Sequence, residues 1–88
     1  MSINPNVKKI LDELSVARKR KGLSELQIEE KLNLGKDWVK ALELGLIEPP
    51  FDLVLSIIDV LNVDLSELIS KVKFEAGQSL NRRINALQ

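Results

Sequence analysis

The sequence predicts an all-α fold of five short helices around one core, and three observations carry that expectation. Apolar residues recur at i, i+3, i+4 and i+7 in several windows, and nothing alternates with a strand period over a useful length. Cap signatures recur as well: Asn4-Pro5, Ser24-x-x-Gln27 and Asp64-x-x-Glu67 each place an acceptor side chain where a helix begins. The chain has 88 residues, room for one core, and its only aromatics are Trp38, Phe51 and Phe74. That core must therefore be built from Leu, Ile and Val.

Helix one starts at the Asn4 cap with Pro5 in its first position. It carries Val7, Ile10, Leu11, Leu14 and Ala17 at helical spacing. Its last turn is the basic run Arg18-Lys19-Arg20-Lys21, closed by Gly22 in the left-handed capping position. Helix two follows at about 24–32, opened by the capping box and closed at Asn33. Helix three is expected over 36–44, capped by Gly35, with Trp38, Val39 and Leu42 turned inward and Gly45 at its end. Helices two and three are too short to stand alone and need a framework.

After Pro49-Pro50, Val54, Ile57, Ile58 and Leu61 mark helix four, which Asn62 ends. Helix five follows Asp64, with Leu65, Leu68, Ile69 and Val72 on one stripe. Residues 1–73 read as one domain and 74–88 as a tail. Leu80, Ile84 and Leu87 follow Gly77 in that tail at i, i+4, i+7, which fits a short sixth helix, a dimerisation arm or a linker.

Composition narrows the function. There is no Cys and no His, so a thiol nucleophile, a Cys-based zinc site, an imidazole base and the commonest metal ligand are all missing. No nucleophile–base arrangement can be assembled short of an unusual carboxylate or Lys site. The expectation is a protein that is not an enzyme, with no cofactor, metal or small-molecule substrate. No apolar run approaches a membrane span, which points to a cytoplasmic protein. Net charge is zero but segregated: +4 over residues 1–22, −3 over 23–50, −4 over 51–70 and +3 over 71–88.

Residues 14–69 resemble the Cro/lambda-repressor (XRE) type of helix-turn-helix domain. The stretch Ala17-Arg18-Lys19-Arg20-Lys21-Gly22-Leu23-Ser24 is similar to that family's basic end of helix one and its cap on helix two. Glu30-Lys31-Leu32, then Val39 and Leu42-Glu43-x-Gly45, then Pro49, Val54, Ile57, Leu61, Val63 and Leu68 fall in order on its remaining positions. The resemblance implies a five-helix, lambda-repressor-like fold whose helix three is the recognition helix. It also implies a half-buried ion pair between Arg18 and Glu43, structural rather than DNA-contacting.

Carried over position by position, the base-reading slots are Lys36, Asp37, Lys40 and Ala41, with phosphate contacts from Ser24, Lys19 and Lys21. Lys36 would donate to guanine, Asp37 accept from cytosine, Lys40 meet guanine or phosphate, and Ala41 touch a thymine methyl. Trp38 is expected to pack against helix two rather than stack on a base.

The chain also departs from the family. Glu25 replaces a common Gln, Glu29 a small residue facing the turn, and Asn33 a Gly. The Glu29 replacement implies an altered angle between helices two and three. Leu44, Leu46, Ile47 and Glu48 follow the recognition helix where polar or basic residues are usual.

Two readings follow. One is a transcriptional regulator that binds double-stranded DNA, weakly and as a homodimer. The other is a helix-turn-helix domain turned to protein contact, in which Leu44, Leu46, Ile47 and Phe51 form an apolar dimer or partner patch.

Overall fold

The computed structural model describes residues 3–72. Those residues form five helices and no strand: α1 (Pro5–Arg20), α2 (Glu25–Leu32), α3 (Trp38–Glu43), α4 (Phe51–Leu61) and α5 (Leu65–Lys71). The expected tail element over 75–88 lies outside the described residues.

Starts and stops follow local chemistry. Asn4 accepts from the Asn6 N–H at the head of α1, and Pro5 sits in the first turn. Ser24 Oγ accepts from the Gln27 N–H at 3.0 Å while Gln27 Oε1 accepts from the Ser24 N–H at 2.7 Å, a complete capping box on α2. The Asp64 carboxylate accepts from the Glu67 N–H at 3.0 Å to open α5. The ends of α1 to α4 share one device, with Gly22, Asn33, Gly45 and Asn62 all at positive φ. In each, the next residue's N–H reaches back over the last turn, as from Leu34 to the Glu29 carbonyl and from Leu46 to the Ala41 carbonyl. At Gly45 the φ of 73° and the Lys8 side chain lying against the Cα both favour a residue without Cβ.

The core joins Leu11 and Leu14 of α1, Ile28 of α2, Val39 and Leu42 of α3, and Val54, Ile57, Ile58 and Leu61 of α4. Leu68 of α5 and Val72 complete it. Helix α1 packs on α3, α4 and α5, and α2 packs on α3 and α4, so the two short helices are held by the longer pair. Val7, Ile10 and Ala17 lie partly buried beside this core.

Four expectations need correction. Helix α3 begins at Trp38 rather than at residue 36, so Lys36 and Asp37 stand in the turn before it, with Asp37 at φ 67°. Asp37 rather than Gly35 stands at the cap position, and Gly35 contributes only its carbonyl, which accepts from the Trp38 N–H at 3.3 Å. Trp38 is not turned into the core: it is 41% exposed, its indole folded over the Gly35 backbone. On α5 only the Leu68–Val72 side is buried, because α5 packs on α1 and leaves Leu65 and Ile69 exposed.

Candidate nucleic-acid interface

The scaffold is tied together by one buried cation. Arg18 reaches from α1 to the end of α3. Its Nε donates to Glu43 Oε2 at 2.7 Å, its second terminal nitrogen to Glu43 Oε1 at 3.0 Å, and its first to the Leu23 carbonyl at 2.7 Å. Ser15 Oγ donates to Glu43 Oε1 at 2.9 Å, so the carboxylate is gripped on both oxygens. The hydrogen bond to Glu43 raises the Arg18 pKa, against a desolvation penalty. Burial pushes the Glu43 carboxyl up, but hydrogen bonds from Arg18 and Ser15, with the charges of Arg18 and Lys19, hold it below its ordinary value. The expected pair is thus brought together, and it serves to fix α3 against α1.

With α3 fixed, a groove opens between the start of α2 and the start of α3. Its lining is Ser24, Glu25, Leu26, Glu29, Lys36, Asp37 and Lys40. Four of the seven residues expected to meet DNA therefore converge there: Ser24, Lys36, Asp37 and Lys40 are all exposed in it. Ala41, on the next turn of α3, is half-buried.

The helix-one lysines are placed differently. Lys19 is exposed and close enough to Glu43 to act on its charge. Lys21 Nζ instead donates to the Asn62 carbonyl at 3.3 Å, which ties it to the end of α4. It lines a separate groove with Arg20, Asp64, Glu67 and Lys71.

A helix-turn-helix family profile matches residues 6–68, which spans the groove and the framework behind it. The chain belongs to the helix-turn-helix family, of the Cro/lambda-repressor (XRE) type. No curated protein and no solved structure gives a match. At the family level this helix-turn-helix chain is a DNA-binding, XRE-like regulator, and the family is regulatory rather than enzymatic. No helix among the described residues is long and apolar enough to cross a membrane. Nor do the described carboxylates form a group arranged to hold a metal ion.

Of the helix-turn-helix residues in the groove, sequence reasoning missed Leu26 and the hydrogen bond made by Glu29. Leu26 is an exposed apolar side chain on its wall. Glu29 was expected to act on the angle between α2 and α3, yet it is only 4% exposed and Oε2 accepts from the Val39 N–H at 3.1 Å. The available signal was an acid standing where the family has a small residue facing the turn.

Three of the four residues expected to form an apolar patch are exposed. Leu44, Leu46 and Phe51 are exposed, Phe51 at 75%, whereas Ile47 is half-buried and packs on the core. Ile47 therefore belongs to the fold rather than to the patch.

Proposed function

We propose that the chain binds duplex DNA in the groove between α2 and α3, with the start of α3 entering the major groove. The observation that carries this reading is the convergence of Ser24, Lys36, Asp37 and Lys40 on one exposed groove. Lys36 and Lys40 donate to guanine or to phosphate, Asp37 accepts from a cytosine amino group, and Ala41 offers a methyl contact. The Ser24 hydroxyl proton, free of the capping bond in which its oxygen accepts, is directed to a phosphate. Lys19 adds a second phosphate contact, and Lys21 can add another on exchanging its 3.3 Å bond to the Asn62 carbonyl for a phosphate oxygen.

The groove holds the carboxylates of Glu25, Glu29 and Asp37 against two ammonium groups, which sets a low affinity. With few cationic phosphate contacts, the salt slope should be shallow, about −2 to −3 per protomer. Binding at low salt is expected for the wild type, and Lys36→Ala/Lys40→Ala should weaken it at least about thirtyfold. Binding that ignores both lysines would contradict the reading. A cytoplasmic location goes with it.

A second copy fits the same reading. Leu44, Leu46 and Phe51 leave apolar surface exposed beyond α3, and a homodimer burying it would present two recognition helices to one pseudo-palindrome. The same exposed residues favour the alternative of a protein-contact module with little DNA affinity.

A further inference from the structure

Helix α3 has six residues, and its cap residue Asp37 makes no side-chain hydrogen bond to it. Such a helix leaves first-turn N–H groups in need of acceptors, and a single turn and a half has little stability of its own. The acceptor comes from another helix. Glu29 Oε2, on α2, takes the Val39 N–H at 3.1 Å. The main chain of the same residue closes α2, its carbonyl accepting from the Leu34 N–H at 2.8 Å. One residue thus terminates α2 and starts α3, holding both ends of the intervening turn that contains Lys36 and Asp37. At 4% exposure it forms the floor of the groove rather than part of its rim.

We propose that Glu29 is a positioning residue for DNA recognition: by capping α3 from α2 it fixes where Lys36 and Lys40 stand relative to the start of α2. This rests on the reading that the groove binds duplex DNA. Reach matters more than charge here. The carboxylate must span from α2 to the Val39 N–H, and Gln has the same length, whereas Asp is one methylene short. The negative charge itself opposes a polyanion, so it is the hydrogen-bond acceptor, which a Gln amide oxygen also provides, that serves binding.

The test compares the full chain with Glu29→Gln, Glu29→Asp and Glu29→Ala, each binding a duplex selected by the wild type, at a temperature where circular dichroism shows all of them folded. Glu29→Ala and Glu29→Asp should bind about tenfold more weakly, and Glu29→Gln should stay within about threefold of wild type. Glu29→Ala binding as well as wild type while folded overturns the proposal. So does Glu29→Asp matching wild type while Glu29→Gln fails, since that would make charge and not reach the determinant. If Glu29→Ala does not fold, the Gln and Asp pair still decides. Absence of duplex binding by the wild type is a failure of the underlying reading. Hydrogen exchange at the Val39 amide, protected in Glu29→Gln and exposed in Glu29→Asp, then tests the cap without DNA.

Discussion

Removing the Arg18 guanidinium leaves the Glu43 carboxylate, half-buried at the end of α3, with the Ser15 hydroxyl and the neighbouring Lys19 charge. Stranding one member of such a pair costs far more than the pair contributes net. Arg18→Ala should lower stability by about 3 kcal/mol and the melting temperature by more than about 10 °C. An unchanged melting temperature would contradict this assignment. The acid limb follows from the same contact. Glu43 titrates below its ordinary value in the folded chain, so its contribution is complete above the ordinary carboxylate range and is lost as pH falls through the lowered value. Denaturation midpoints measured from about pH 6 to about pH 3 should fall less steeply for Glu43→Gln than for wild type, and parallel curves would contradict it. Neither partner announces the other locally, because 25 residues separate them, and only the ordered resemblance to a family pointed to the pair. Glu29 is the opposite case: its bond to Val39 departs from that family's pattern, so the resemblance could not supply it.

Helix boundaries were legible wherever the deciding chemistry is local. The αL stops at Gly22, Asn33, Gly45 and Asn62 and the side-chain caps at Asn4, Ser24 and Asp64 each lie within a few residues of what they terminate. The start of α3 was not legible, because its acceptor sits ten residues earlier on another helix. Exposure on α5 is not legible for a related reason: a short apolar stripe shows which residues share a face but not how much of it a neighbour covers. The junction from α3 to α4 carries the exposed Leu44, Leu46 and Phe51. A Leu46→Glu/Phe51→Glu variant spares Ile47, whose burial would confound the result with unfolding. Sedimentation should find the wild type dimeric at micromolar concentration and this variant monomeric. A variant that stays dimeric, or a monomeric wild type, would remove the patch as the dimer surface.

At the scale of the whole molecule, the proposed DNA reading depends on α2 and α3, which pack on α4 and α1. Charge is distributed to suit that arrangement only in part. The groove mixes two lysines with three acids, and Glu25 also acts on Arg18. Composition excluded imidazole and thiol chemistry at once. The family was legible from the ordered set of caps, apolar positions and the closing Gly45, whereas the face proposed to meet DNA depends on how a turn is held in space. Mapping amide shifts of the labelled chain on titration with a duplex selected from a random pool tests that placement most directly. The shifts should concentrate at residues 24–29 and 36–41 and leave α5 unmoved. Shifts centred on Leu44, Leu46 and Phe51, on α5, or nowhere would contradict the groove between α2 and α3 as the DNA-reading surface.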